Sequence, residues 1–299
     1  MLFLPECFGF MGENSGMTLE NADPPVVVGS SDSGANKNDS SLHDLLRKAV
    51  AASFKGETLE DSTSTGNDSN ICILDGLRVI SRESGLWISG GGMHVAGAPP
   101  AEKSDRSRVY NTHIILDNQG VVKCLYRKIH LFDVHIPGKV NLCESATTAP
   151  GTELVVCDSP IGRLGLTTCY DVRFPEMYVP LVHDMGAQIL LVPSAFTVPT
   201  GQAHWHTLLK ARAIEHQCYV LAAAQYGQHN EKRTSYGHSL AVDPWGAVVA
   251  DAGGYADKDT STDPSLTTPS IVLCDIDLHK LESIRQRMPI RQHRDDAKF

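Results

Sequence analysis

The 299-residue chain has no apolar run near the ~18 residues that a membrane-spanning helix needs. Its longest candidate, Ile189 to Phe196, is short and interrupted by Pro193 and Ser194. An excess of basic charge is also missing. The 26 Lys+Arg against 35 Asp+Glu leave a net charge of −9, a poor footprint for a nucleic-acid binder. The eight cysteines (7, 72, 124, 143, 157, 169, 218 and 274) include no CxxC pair. Neither a disulfide framework nor a zinc ribbon follows from them, and they read as reduced thiols of an intracellular protein. Met1 to Pro5 lacks a basic leader and runs at once into Glu6, so it is no signal peptide. It reads as the latter half of a buried strand.

What is present is a single α+β domain over residues 1–299. Two polar stretches, 29–41 (within a low-complexity insertion of about 28–41) and 56–70, hold too few apolar groups to offset ordering entropy. Between them Leu42, Leu45, Leu46, Ala49, Val50 and Phe54 recur at helical spacing. A third polar stretch, 256–269, reads as a surface loop. Strands dominate from Leu77 onward. Three hairpins are expected around Asp117 to Gly120, Ser159 to Gly162 and Asp243 to Gly246. The continuous apolar runs Ile189 to Val192, Val220 to Ala224 and Ile271 to Ile276 suit strands buried on both faces. Helices are expected from Cys169 through Pro175 to Asp184, and from about Ala203 to His216, with Trp205, Leu208, Leu209 and Ala213 as its apolar stripe.

Cys169 lies where an apolar strand turns into a helix. The following N–H groups would favour thiolate and could hold an oxyanion, although composition alone favours a buried structural cysteine. Asp171, Arg173 and Glu176 crowd the next turn, an unusual charge density for a core element. No Cys-His protease signature surrounds the thiol. His204 and His206, two apart on a helix, are splayed too far to share a metal ion. Glu6 ends an apolar strand, where burial would raise its pKa and make it a base at neutral pH; the alternative is a solvated loop carboxylate. Lys128 alone would pass for a surface group.

Together, LFLPE at 2–6, YRKIHLFD at 126–133 and GLTTCYDVRFPE at 165–176 resemble the three motifs of the nitrilase, or carbon–nitrogen hydrolase, superfamily. Asn141 to Ser145, Pro193 to Phe196, AHWHTLLKARAIE at 203–215, Gly237 to Ser239 and DPWG at 243–246 add to the likeness, which spans 1–26 and 71–299. Within the superfamily it points to the deaminated glutathione amidases.

The resemblance implies an αββα sandwich that works as a homodimer or larger homo-oligomer on a small-molecule amide, without metal or organic cofactor. It implies Cys169 as nucleophile, Glu6 as general base and Lys128 as oxyanion partner. Glu144 would orient Lys128, and the Tyr170 N–H would be the backbone oxyanion donor. Arg173 could bind a substrate carboxylate or pair with Glu176. Neither nucleic acid nor membrane is an expected partner. A cytoplasmic location is expected, with the mitochondrion as alternative if a targeting segment precedes Met1. The sequence departs from the family in three places. His206 stands where the family carries Glu. Residues 27–70 are an expansion. The strand and helix that precede LPE in relatives are absent, so Glu6's strand is expected to lack a neighbour and the chain to be poorly soluble and nearly inactive.

Overall fold

The structure, a computed structural model, describes residues 1–6, 73–100, 107–137, 140–255 and 271–297. The expected helix 42–54 and the polar stretches 29–41, 56–70 and 256–269 lie outside the described residues, as do Cys7 and Cys72.

Two sheets form the centre. In the first, β1 (Leu2–Phe3) runs parallel to β2 (Ile88–Ala98), which continues antiparallel through β3 (Arg108–Leu116) and β4 (Val122–Arg127). β1 is the edge, with β2 its one partner strand among the described residues; the neighbour expected on its other side is not among them. Two short ribbons follow, the first pairing β5 (Asp133–Ile136) with β6 (Val140–Cys143).

The second sheet uses β7 (Val155–Ser159), β8 (Gly162–Leu166), β9 (Ile189–Leu191) and β10 (Tyr219–Ala222). The other ribbon, β11 (Tyr226–Asn230) with β12 (Arg233–Tyr236), precedes β13 (Leu240–Val242) and β14 (Val248–Asp251), which complete this sheet in the order β14-β13-β10-β9-β8-β7. Parallel β8, β9 and β10 lie at its centre, and β9 and β10 are buried throughout, as their unbroken apolar runs require.

Alternation along β3 sets the layers. Ile114 and Leu116 pack under helix α1 (Ile73–Ser84) with Leu74 and Leu77, whereas Ile115 joins Tyr126, Leu164 and Leu166 between the sheets. Helix α2 (Val198–His216) covers the far side of the second sheet through Trp205, Leu209 and Ala213. The result is an α+β sandwich of helix, sheet, sheet and helix.

The three expected hairpins form. Two share one device: Asp117 Oδ1 accepts from the N–H of Gln119 and Val121, and Asp243 Oδ1 from Trp245 and Ala247. Each turn closes on a glycine of positive φ, Gly120 (75°) and Gly246 (86°).

Four expectations need correction. Strands dominate from Ile88 rather than from Leu77, because residues 73–84 form a helix with Leu74, Leu77 and Ser81 buried on one face. The single helix expected after Cys169 is broken into short turns, Cys169–Arg173, Pro175–Met177 and Pro180–Asp184. Each later turn starts on a proline, and Phe174 before Pro175 is forced out of helical geometry (φ −109°, ψ 88°). Helix α2 begins five residues early because Pro199 occupies its first turn, where a missing N–H costs nothing. Ile271 to Ile276 forms no strand among the described residues, and Leu273 is 88% exposed. Apolar composition fits a strand interior but does not supply the neighbouring edge. After this segment come helices α3 (Leu278–Arg287) and α4 (Ile290–Asp295).

Candidate active site

Glu6 reaches the interior because β2 gives way beneath it. Gly91 has a φ of 57°, and a Cβ there would lie 2.1 Å from the Pro5 carbonyl oxygen. One pleat on, a Cβ at Gly92 would meet Asn111 Oδ1 at 2.5 Å and Glu6 Cγ at 3.0 Å. Only glycine lets the Leu4–Glu6 backbone cross so closely. Gln225 secures the end of that segment by donating from Nε2 to the Glu6 carbonyl (3.0 Å).

Lys128, at the end of β4, is 2% exposed and stands between two carboxylates. Its Nζ donates to Glu6 Oε1 (2.9 Å) and to Glu144 Oε2 (2.9 Å) and Oε1 (3.1 Å). Glu144 lies on a short turn after β6, where the Phe132 N–H donates to its Oε2 at 2.7 Å. Asn111 on β3 spans both acids from one amide nitrogen, at 2.9 Å to Glu6 and 3.2 Å to Glu144. Sequence reasoning missed Asn111, one of three polar residues in the mixed stretch from Val109 to Leu116.

Cys169 sits on a sharp elbow after β8. Its φ of 48° is left-handed, a strained conformation for a residue with a Cβ. Asp171, fully buried, holds the elbow. It accepts from the Thr168 N–H (2.9 Å), the Tyr126 hydroxyl (2.6 Å) and the His130 N–H (3.0 Å). The charge density noted after Cys169 thus includes a structural anchor. The Cys169 N–H donates to the Pro193 carbonyl at 2.9 Å. The thiol lies beside the Glu6 carboxylate and the Ala195 N–H, and both act on its titration.

These neighbours set the protonation states. Burial opposes ionisation of Glu6, but the Lys128 charge, the hydrogen bonds from Lys128 and Asn111 and the neighbouring Cys169 thiol outweigh it, so the carboxyl titrates below its ordinary value. The expected rise from burial is therefore reversed. Burial likewise opposes the charge on Lys128, yet Glu144 and Glu6 hold its pKa well above the usual lysine value. Burial and then the Glu6 charge push the Cys169 thiol up, against Lys128 and the Ala195 N–H. The expectation that the turn favours thiolate fails for the resting site, because a second anion beside Glu6 is too costly. The resting arrangement is carboxylate, ammonium and thiol.

Arg173 forms no ion pair with Glu176 among the described residues. Its Nη2 lies 3.3 Å from His204 Nδ1, and its guanidinium sits over the rings of Phe196 (5.4 Å) and Tyr170 (5.8 Å). The Tyr170 ring also meets Phe132 and Phe174 edge-on.

Beneath the elbow, buried His113 bridges Thr167 O (3.0 Å, from Nδ1) and Ser89 Oγ (2.8 Å, at Nε2). The carbonyl requires a proton on Nδ1, leaving Nε2 to accept. Burial lowers its pKa to about 4, against the Thr167 hydrogen bond. The unfolded chain therefore protonates first on acidification. This group's share of stability is full above pH 6.5 and is lost as pH falls towards 4. Urea melts across that window should weaken with falling pH, and His113→Gln should flatten the slope by up to about 1.4 kcal/mol per pH unit. An unchanged slope in that variant contradicts the assignment.

The carbon–nitrogen hydrolase family profile matches residues 1–286. The nitrilase and fragile histidine triad fusion protein NitFhit of Caenorhabditis elegans is 40% identical over 295 residues, covering 98% of this chain and 53% of NitFhit. This chain thus spans about half the length of that relative. The deaminated glutathione amidase of Dictyostelium discoideum is 47% identical over 74% of this chain and 71% of its own length. The Homo sapiens protein of the same name is 45% identical, over 80% and 67%. Among solved structures, C. elegans NitFhit matches with a TM-score of 0.67 at 39% identity, covering 97% of this chain and 56% of that one. Saccharomyces cerevisiae Nit3 matches at 0.65 and 26% identity, covering 96% and 80%. A family match from Met1 through helix α3, with relatives of the same fold, leaves one assignment: this chain belongs to the carbon–nitrogen hydrolase family.

Proposed function

We propose that the chain is an amidase that cleaves a small carboxylated amide through a thioester on Cys169, with deaminated glutathione as the substrate. The observation that carries this reading is the buried Lys128 ammonium between Glu6 and Glu144, with the Glu6 carboxylate beside the Cys169 thiol. Glu6, ionised and aimed at the thiol, takes its proton as Sγ attacks the amide carbon. Charge then develops on the carbonyl oxygen, where Lys128 and the Tyr170 N–H stabilise it. All three Lys128 protons have acceptors at rest, so its longer contact, 3.1 Å to Glu144 Oε1, is the one to release. The Glu6 acid protonates the departing amine as the C–N bond breaks. Glu6 then takes a proton from water, hydroxide attacks the thioester, and the thiolate recovers its proton from Glu6.

The identity of 45–47% to deaminated glutathione amidases supports the substrate. Arg173, half-exposed beside Tyr170, is the candidate for a substrate carboxylate. The same reading takes the working unit as a homodimer or larger.

Mass-spectrometric turnover of deaminated glutathione beside 2-oxoglutaramate tests the substrate. Release of 2-oxoglutarate and the dipeptide from deaminated glutathione, at a kcat/KM at least about tenfold above that for 2-oxoglutaramate, is the expected result; one factor of ten is about 1.4 kcal/mol of discrimination. The reverse preference assigns the chain to another amidase of the family.

A further inference from the structure

His206 is the residue at which the α2 sequence departs from the family pattern, and its neighbours lie far away in sequence. His206, His238 and Asp251 bring their candidate ligand atoms within 4.8 Å of one another. Asp251 Oδ2 lies 3.4 Å from His206 Nε2 and 3.1 Å from His238 Nδ1. For metal–ligand bonds of about 2.0–2.2 Å, the edges of a tetrahedral site are roughly 3.3–3.5 Å. Both measured edges fall close to that length. The remaining imidazole–imidazole edge can adjust through His206, whose side chain is 35% exposed.

The fold holds the other two ligands in place. The Trp205 indole donates to the His238 carbonyl (2.8 Å), and the His238 N–H donates to the Gly253 carbonyl (2.9 Å). His238 has a φ of 56°, so this histidine is kept in the left-handed region that favours glycine. Its Nε2 lies against Gly254, where a Cβ would come within 2.2 Å, which leaves Nδ1 facing the cluster. Asp251 Oδ1 accepts from the Gly253 N–H at 2.8 Å and lies 2.9 Å from His238 Nδ1, which fixes the carboxylate against the cluster and leaves Oδ2 within reach of both imidazoles.

We propose that His206, His238 and Asp251 bind a divalent transition-metal ion of the zinc type. The ion ties the third turn of α2 to the β12–β13 connection and to the end of β14. Two imidazoles and one carboxylate suit zinc, cobalt or nickel, whereas magnesium and calcium prefer all-oxygen sites. The half-exposed His206 and Asp251 leave a fourth position for water. This role is structural, and the amide chemistry at Cys169 proceeds without it.

The test uses the full chain carrying Cys169→Ala, so that the active-site thiol cannot compete for metal. After chelator treatment, equilibrium dialysis against micromolar zinc(II) with elemental analysis should retain one ion per chain. Zinc should also raise the melting temperature. His206→Gln should weaken binding on the order of 100-fold, the loss of a direct ligand being at least as costly as that of its supporting groups. His279→Gln, on the exposed face of α3, should leave it unchanged. Cobalt(II) substituted for zinc should show ligand-field bands without thiolate charge transfer. No retained ion overturns the proposal. Equal affinity in parent and His206→Gln overturns it too, as does thiolate charge transfer, which would put the ion on exposed Cys143 and Cys274. Should His206→Gln fail to fold, the cobalt spectrum of the parent decides between the two.

Discussion

Cys169→Ala is expected to lower amide turnover by at least about 10⁴-fold, to the limit of detection, while the chain keeps its fold. Removing a nucleophile from a site whose groups act as a unit costs most of the rate enhancement, and what remains comes from binding and charge stabilisation. Stability should hardly change. The Glu6 carboxylate beside the thiol keeps its hydrogen bonds from Lys128 and Asn111. Circular dichroism melts beside mass-spectrometric turnover separate the two effects. Turnover that survives the substitution removes Cys169 from the mechanism. Lost turnover together with a collapsed melt would make the elbow a structural element rather than a reactive one.

Lys128→Met has the opposite signature, a large loss in both measurements. Glu6 and Glu144 share Asn111 Nδ2, at 2.9 and 3.2 Å, and Lys128 is the buried cation between them. Without it, uncompensated negative charge is left inside the protein, at a cost of about 3–5 kcal/mol. Part of that cost is relieved if Glu6 takes a proton, which disables it as a base. Turnover should therefore fall by at least about 10³-fold, the oxyanion donor and the ionised base being lost together. The double variant Lys128→Met, Glu144→Gln should recover part of the stability and none of the activity, because it removes one of the two unpaired charges. A single variant as stable as the parent would mean that Lys128 does not compensate these acids.

What could be read from the sequence was what local chemistry fixes. The Asp117 and Asp243 turns are decided by an aspartate that caps its own turn and a glycine at positive φ. β9 and β10 announce themselves by apolar runs buried on both faces. Glu6, Lys128 and Cys169 were legible through motifs, although Glu6 and Lys128 are 122 residues apart and only the fold sets their 2.9 Å contact. Asn111 was not legible, because an amide on a strand carries no signal until its cross-strand neighbours are known. The sign of the Glu6 shift was misjudged for the same reason. Burial alone raises a carboxyl pKa, and the lowering comes chiefly from Lys128, which only the fold brings beside it. Ile271 to Ile276 shows the opposite error, apolar composition without a partner edge among the described residues. The His206, His238 and Asp251 cluster combines three separate elements, so no spacing rule could have found it.

The most direct test of the central claim is intact-protein and peptide mass spectrometry after rapid acid quench during turnover of deaminated glutathione. The account predicts an acyl adduct on Cys169 carrying the 2-oxoglutaryl group, which forms within the first turnover and disappears as substrate is consumed. Glu6→Gln should make even the first acylation rare, since no carboxylate remains to take the thiol proton. Full turnover with Cys169 unmodified at every quench time, and equally fast in Cys169→Ala, would contradict the account.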